Sequence, residues 1–234
     1  MLEAYEIFAP ENSGRSIAII KGENIPLEGG KTCGNHGIAS PEFFYDELKK
    51  YGAHYIDPYD VLDLNKINKF KIIINPYGED YFLADRNEIR DEPTLDTIKK
   101  FLELGGIWVH TGGYPFYRAV FLKTGELTST AQVVSENFGL IIRERSGGNI
   151  IPSATGIYLI GDKPWKCKGS RNLENSTEVY AVVETEKGKL NILSSINIGK
   201  GKFIHYGGIH AIYEESRFAA KAVCKLIKYY VFLI

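Results

Sequence analysis

The sequence predicts a three-layer α/β fold with a mostly parallel central sheet and an antiparallel extension in its C-terminal half. Short apolar segments alternate with segments of helical periodicity through the first half of the chain, the pattern of strand and helix units. One such segment, residues 71–75, is a β-branched run of the kind that a parallel sheet buries on both faces. From residue 178 onward, strand-like segments separated by glycine-containing turns predict a meander.

Local signals place the elements of the first half. Ser40 followed by Pro41 predicts a helix start, because serine caps free N–H groups and proline fits the first helical turn. Gly52 and Gly105 are predicted to end helices. The predicted order is a strand at residues 16–20, a helix from 40 to 52, a strand at 54–57, a helical link at 61–67, the central strand at 71–75, a helix at 93–104 and a strand at 107–111.

The second half has weaker signals until its last third. Residues 114–122 are predicted to begin a helix, residues 129–138 to form another, and residues 147–165 to be irregular with a strand near 157–160. The meander strands are expected at residues 179–184, 190–196 and 202–206. A long helix with apolar residues at core spacing is predicted from residue 211 or 213 to residue 230.

Length and composition predict one domain over residues 1–234. The chain is 44% hydrophobic, enough for one sizeable core, and its 28 basic and 29 acidic residues give no field that would attract nucleic acid or an anionic membrane. We find no apolar run long enough to cross a bilayer and no secretory signal at the first residues, so we expect a cytoplasmic protein. Abundant Lys, Glu, Ile and Tyr with one methionine is typical of proteins from hot environments.

The three cysteines are predicted to be reduced thiols. Cys33, Cys167 and Cys224 are odd in number and widely separated, which argues against a disulfide framework and against a structural zinc site. Cys33 differs from the other two because His36, three residues on, could lower its pKa. Its place in a glycine-rich loop fits an inert thiol better.

Two turns that follow predicted strands form the candidate site. In an open α/β sheet, ligands bind beyond the carboxyl ends of the strands, and here those ends lead into Asn-Pro-Tyr-Gly-Glu at residues 75–79 and His-Thr-Gly-Gly-Tyr at residues 110–114. Glu79 is a candidate general base or partner of a sugar hydroxyl, or else a solvated loop acid. His110 is a candidate base, a metal ligand or a buried imidazole. The aromatic residues of both turns suit sugar stacking or core packing.

Histidines offer an alternative, a metal site. His36, His110, His205 and His210 could converge at the carboxyl edge with Glu79 or Glu214, a set that would suit a divalent cation. No pair of histidines has the helical spacing of a metal motif. We therefore predict no metal and no cofactor.

The order of these elements resembles the class I glutamine amidotransferase-like superfamily, and within it the ThuA-like proteins and the domains attached to β-galactosidases. The likeness rests on residues 75–79, on Ile-Trp-Val-His-Thr-Gly-Gly at 107–113 and on Gly-Lys-Gly-Lys-Phe-Ile-His-Tyr-Gly-Gly at 199–208. It implies a flavodoxin-like parallel core. The catalytic cysteine of the superfamily corresponds to Thr111, and its His-x-Glu pair corresponds loosely to His210 with Glu214, or to His205. The resemblance therefore implies a relative without cysteine-dependent glutaminase activity.

Three functions follow from these residues. The first is binding of a small polar molecule such as a carbohydrate, and the second is hydrolysis by a His and Glu site, with or without a metal. The third is a structural role in a homo-oligomer, as the β-galactosidase-attached relatives suggest. The candidate catalytic residues are His110, Thr111, Glu79 and His210, and the candidate ligand-binding residues are Tyr77, Gly78, Gly112, Gly113 and Tyr114.

Overall fold

The computed structural model describes residues 17–22, 37–85, 93–130, 133–186 and 188–232. Its strands are β1 Ile17–Ile20, β2 Ala53–Ile56, β3 Ile72–Asn75, β4 Asp80–Leu83, β5 Ile107–His110, β6 Arg118–Phe121, β7 Leu127–Ser129, β8 Ile142–Pro152, β9 Trp165–Leu173, β10 Glu178–Thr185, β11 Gly188–Ile198, β12 Gly201–Tyr206 and β13 Gly208–Ile209. Its α-helices are α1 Pro41–Leu48, α2 Leu64–Ile67, α3 Pro93–Glu103, α4 Val133–Asn137, α5 Ala154–Ile160 and α6 Tyr213–Phe232. Two 3-10 turns cover Lys49–Tyr51 and Pro58–Leu62.

The described strands form a ten-stranded mixed sheet and a separate three-stranded sheet. The large sheet has the order β13-β9-β8-β10-β11-β12-β5-β3-β1-β2. Pairing is parallel from β12 to β2 and antiparallel from β13 to β12. The antiparallel extension is therefore confirmed, whereas the prediction of a mostly parallel sheet is wrong, because the meander continues outward through β8, β9 and β13.

The parallel half has the layered arrangement expected of a flavodoxin-like core. All residues of β1, β3 and β5 are buried, and β3 lies between the other two. One face packs against α1 and α6, and the other packs against α3 and the small sheet of β4, β6 and β7. Helices on both faces explain why these strands are apolar throughout rather than alternating.

The antiparallel half curls back on itself. After β12, Gly207 leads directly into β13, which pairs with β9. The Gly207 N–H donates to the Ile192 carbonyl at 2.9 Å, and the Arg171 N–H donates to the Gly207 carbonyl at 2.8 Å. A Cβ at residue 207 would lie 1.7 Å from the Arg171 carbonyl oxygen, so only glycine fits this contact. The end of β9 is thereby brought to the carboxyl end of β12.

Two predictions for the middle of the chain are wrong. Instead of a helix, residues 114–122 form a turn followed by β6, which pairs in parallel with β4 and is anchored by an Arg118–Asp80 ion pair of 2.6 Å. Residues 147–165 contain the end of β8 and the helix α5, where a strand near 157–160 was expected. The Ser153 side chain caps α5 by accepting from the Gly156 N–H at 3.0 Å.

Several local predictions are confirmed. The Ser40 side chain accepts from the Phe43 N–H at the start of α1, and Gly52 ends the following turn with a φ of 79°. The three meander strands and the long helix α6 lie where they were expected. Of the helix predicted at 129–138, Val133–Asn137 is helical, whereas Ser129 ends β7. In the part of the chain that the structure describes, we find no helix with the length and hydropathy needed to span a membrane.

Candidate functional site

Four polar side chains lie in register across adjacent strands near the carboxyl edge of the parallel sheet. Asn75 on β3 is paired with His110 on β5, His110 with His205 on β12, and His205 with Ser194 on β11. Each is at most 1% exposed, although the strand residues next to them on this face, such as Trp108 and Phe203, are buried and apolar. We call these four residues the polar row. Buried polar groups are costly unless they are paired.

The two histidines of the polar row stack on each other. Their ring centroids are 5.2 Å apart, with an interplanar angle of 12°. Nε2 of His205 lies 2.7 Å from the Arg171 carbonyl oxygen, and Nε2 of His110 lies 3.3 Å from the Gly113 carbonyl oxygen. Because a carbonyl only accepts, each Nε2 carries the proton and each Nδ1 carries a lone pair. Neither Nδ1 has a hydrogen-bond partner among the described residues, nor does Oγ of Ser194.

Burial keeps both imidazoles neutral. It lowers the pKa of His205 from 6.5 to about 4, and it lowers the pKa of His110 well below 6.5, with a further contribution from His205 beside it. Both rings therefore offer an acceptor lone pair at neutral pH. Such a nitrogen can accept a hydrogen bond from a hydroxyl or an N–H group, and neutral imidazole is also the form that binds metals.

The two predicted turns lie side by side. Oε1 of Glu79, which is 6% exposed, accepts from the Tyr114 N–H at 2.9 Å. Gly113 has a φ of +71°, and a Cβ there would lie 2.3 Å from Cγ of Glu79, so the carboxylate rests directly on the second turn. The loops that follow the neighbouring parallel strands β3 and β5 thus meet at this edge of the sheet. Glu79 is a buried acceptor for the backbone rather than a solvated loop acid.

Asn75 organises the first turn. Its Nδ2 donates to the Asp80 carbonyl at 2.7 Å, and its Oδ1 accepts from the Tyr77 N–H at 3.1 Å. The Tyr77 hydroxyl accepts from the Gly22 N–H at 2.8 Å, just beyond β1. Gly78 supplies the left-handed conformation that the turn needs, with a φ of 61°. Tyr77 is thus held across the ends of β1 and β3.

Arg171 connects the second turn to the antiparallel half. Its guanidinium lies 4.7 Å from the centroid of the Tyr114 ring, which also stacks on Tyr117. The same guanidinium forms a 2.7 Å ion pair with Glu144. Its backbone carbonyl accepts from His205, so one residue touches both the aromatic turn and the polar row. No sequence signal marks Arg171, because its position depends on the curl of β9 toward β12.

Thr111 lacks the geometry of a nucleophile. Its hydroxyl donates to the Asn75 carbonyl at 2.8 Å. A nucleophile elbow is a strained turn between a strand and a helix, and its nucleophile holds the strained conformation. Among the described non-glycine residues the positive φ belongs to Phe116 and not to Thr111, and the turn leads into the strand β6 rather than into a helix. Gly112, with a φ of 148°, and Gly113 serve the turn itself.

His210 contacts a different group of side chains. Its Nε2 lies 2.7 Å from the Tyr206 hydroxyl, which accepts from Nε1 of Trp165 at 3.1 Å. Tyr206 and His205 are successive residues of β12 and therefore project to opposite faces of the sheet. The contacts of the described residues thus place His210 with Tyr206 and Trp165, rather than with Glu79 and His110 as the hydrolase hypothesis requires.

Metal and thiol chemistry find little support in the described residues. These residues contain no group of three or more His, Cys, Asp or Glu side chains arranged to hold a metal ion. Burial raises the pKa of the Cys167 thiol and, more strongly, that of Cys224, so both are inert toward nucleophilic chemistry at neutral pH. Cys33 and His36 lie outside the described residues.

Solved structures share this fold. A β-galactosidase from Bacillus circulans sp. alkalophilus matches with a TM-score of 0.58 at 13% identity, covering 92% of this chain and 31% of that chain. A cytoplasmic protein of Salmonella typhimurium matches with a TM-score of 0.56 at 15% identity, covering 94% and 98%. A ThuA-like protein from Bacteroides uniformis matches with a TM-score of 0.52 at 11% identity, covering 92% and 93%.

These likenesses establish a ThuA-like fold. No family model matches the sequence, and no curated protein matches it. The chain spans about a third of the length of the β-galactosidase it matches, but nearly the whole length of the Salmonella and Bacteroides proteins. At these sequence identities the matches show the fold alone, so an activity has to be argued from the site.

Proposed function

We propose that this chain is an atypical class I glutamine amidotransferase-like protein that binds a small polar ligand, a carbohydrate or a derivative of one, without cysteine-dependent glutaminase activity. The observation that carries the proposal is the polar row. Three of its buried polar atoms, Nδ1 of His110, Nδ1 of His205 and Oγ of Ser194, have no partner among the described residues. A buried acceptor without a partner costs about 1–3 kcal/mol, which a bound donor would recover.

The chemistry of these three atoms selects the ligand class. The two imidazole lone pairs accept hydrogen bonds, and the Ser194 hydroxyl both donates and accepts. A vicinal pair of sugar hydroxyls supplies donors and acceptors in this mixture. The Tyr114 ring in the adjoining turn is buried, with Tyr117 stacked on it and the Arg171 guanidinium over it, so we expect hydrogen bonds, rather than stacking on Tyr114, to hold the ligand.

Loss of the glutaminase is supported by Thr111. A hydroxyl is a weak nucleophile unless a base takes its proton, and this hydroxyl donates to a backbone carbonyl instead. His210, the superfamily-like partner, is engaged with Tyr206 on the other face of the sheet.

The test is a thermal-shift screen of the purified chain with neutral sugars, amides and nucleotides, followed by calorimetric titration of the compound with the largest shift. A ligand that binds only the folded state raises the melting temperature. We expect a neutral sugar to do so, and we expect His110→Leu and His205→Leu each to abolish the shift.

His54→Leu is the matched control, because His54 is an exposed histidine on the edge strand β2. The proposal fails if no compound class raises the melting temperature of the wild-type chain. It also fails if the two polar-row variants, shown to be folded by circular dichroism, still bind as the control does.

A second candidate is a role in assembly. It is supported by the β-galactosidase match, in which this fold occupies about a third of a longer chain, and by exposed apolar residues on the helical face, Ile157 and Tyr158 on α5 and Tyr213 on α6. Exposed apolar surface of this kind often marks an interface. Light scattering after size exclusion tests it: an oligomer that Tyr158→Ser and Tyr213→Ser dissociate supports assembly, and a monomer at all concentrations contradicts it.

A further inference from the structure

A cleft of about 720 Å³ opens on the antiparallel half of the sheet, beside the hairpin of β8 and β9. Its walls include three cationic side chains, Arg145, Lys168 and Arg171, and one carboxylate, Glu144. Three positive charges and one negative charge leave a formal charge of +2 in the cleft, whereas the whole chain has a formal charge of −1. We call it the basic cleft.

The one carboxylate in the basic cleft is already engaged. Oε1 of Glu144 pairs with the Arg171 guanidinium at 2.7 Å, across the strand pair in which these two residues are in register. The Arg145 guanidinium donates to the Glu144 backbone carbonyl at 2.7 Å and forms no ion pair with the Glu144 carboxylate among the contacts of the described residues. No other acidic side chain in the described part of the chain lines the cleft, so the charges of Arg145 and Lys168 are not balanced by its lining.

The floor of the cleft leaves room for a ligand. Gly169, which follows Lys168 on β9, also lines it, and a Cβ at that residue would find no atom of the described chain closer than 3.9 Å. Ser146 and Thr185 contribute hydroxyl groups to the walls. A volume of about 720 Å³ is within the usual range for small-molecule pockets and exceeds what a bare inorganic anion fills.

We propose that the basic cleft binds the phosphate monoester group of a small polar molecule, at a site separate from the polar row. A phosphate monoester carries about −1.5 to −2 charges at pH 7, which matches the formal charge of the cleft. Arg145 supplies the planar donor fork that pairs with two phosphate oxygens, and Lys168 supplies a compact point charge. The cleft volume accommodates the body of the ester beside its phosphate.

Isothermal titration of the full chain with glucose 6-phosphate, glucose, glucuronate and inorganic phosphate tests this proposal. We expect glucose 6-phosphate to bind more tightly than each of the other three probes and to weaken as sodium chloride is raised, because exposed charges are screened. The measured quantity is the increment in affinity of glucose 6-phosphate over glucose. It separates this proposal from binding at the polar row, which neutral glucose reports and the His110→Leu variant removes.

The variant is Arg145→Gln with Lys168→Gln, and its control is Lys99→Gln with Lys100→Gln, which removes the same charge from the exposed side of α3. Losing two charge-assisted contacts should weaken glucose 6-phosphate binding by about a hundredfold or more. The control should bind as the wild type does, and circular dichroism should show both variants folded.

Four results would overturn the proposal. The first is that glucose 6-phosphate binds no more tightly than glucose at low salt, and the second is that the Arg145 and Lys168 variant keeps the wild-type difference in affinity. The third is that the control variant loses as much affinity, and the fourth is that glucuronate or inorganic phosphate binds as tightly as glucose 6-phosphate. The last result would mean that the cleft recognises a carboxylate or a free anion rather than an ester.

Discussion

Acidification should destabilise this fold through histidines that the native state keeps neutral. The pKa of His205 falls from 6.5 to about 4 on folding because the ring is buried. Below pH 6.5 the unfolded chain takes up a proton at this residue and the native chain does not. The stabilising effect is therefore complete above about pH 6.5 and is lost as the pH falls toward 4. The same direction holds for His110 and for His210.

The size of the effect follows from the pKa. A tenfold change in proton affinity corresponds to about 1.4 kcal/mol, so His205 alone should cost about 2 kcal/mol between pH 7 and pH 5, and about 3 kcal/mol by pH 4. Domains of this kind have total stabilities of about 5–15 kcal/mol, so the loss is easily measured. Urea unfolding of the wild type at pH 7 and pH 5 gives the two free energies.

His205→Gln removes the titrating group but keeps an N–H donor for the Arg171 carbonyl. We expect this variant to lose about 2 kcal/mol less than the wild type between the two pH values, whatever its stability at pH 7. His54→Gln, a change at an exposed position, should keep the wild-type pH dependence. If the wild type and His205→Gln lose equal stability between pH 7 and pH 5, the assignment of a neutral buried imidazole is refuted.

Three further predictions test the curl, the small sheet and the turn. Gly207→Ala should unfold the chain or lower its melting temperature strongly, because the methyl group would lie 1.7 Å from a β9 carbonyl oxygen. The control Gly169→Ala should leave the melting temperature unchanged, and equal effects of the two changes would contradict the close contact between Gly207 and β9. Asp80→Asn breaks a buried ion pair and should lower the free energy of unfolding in urea by about 3–5 kcal/mol. The control Asp85→Asn breaks an exposed pair and should lower it by less than about 1 kcal/mol, and similar losses would contradict the anchoring of β6 by Asp80. Thr111→Cys should release no ammonia from glutamine, since the side chain is directed at a carbonyl; measurable glutaminase activity would overturn that geometry.

Local signals were sufficient for the parallel half. The serine cap of α1, the isoleucines of β3 and the glycine that ends the first helix each act within a few residues, so the sequence alone locates them. The side-by-side turns followed from one general rule, that neighbouring parallel strands end at the same edge.

The curl and the small sheet depend on distant partners. β6 forms because Arg118 meets Asp80, 38 residues earlier, and β13 forms because β9 returns to it. No local pattern near residue 118 predicts the first pairing, and none near residue 208 predicts the second. The error at α5 has another cause, since a short apolar run fits a buried strand and a helix equally well until its cap is recognised.

The candidate site likewise combines contacts that could be predicted from the sequence with contacts that depend on distant strands. Glu79, Gly113 and Tyr114 could be predicted as neighbours, because their turns follow adjacent strands. The pairing of His205 with His110, and the approach of Arg171, require the strand register and the curl. His210 follows β13, and its Nε2 contacts the hydroxyl of Tyr206, which projects from β12 to the face opposite His205.

The most direct test of the polar row is a long-range proton–nitrogen correlation spectrum of the histidine rings at pH 7, with and without the sugar that gives the largest thermal shift. The structure predicts that His110 and His205 carry their proton on Nε2, and that saturation with the sugar shifts their Nδ1 resonances while His54 is unchanged. A doubly protonated ring at either position, or Nδ1 resonances that do not move at saturation, would contradict it.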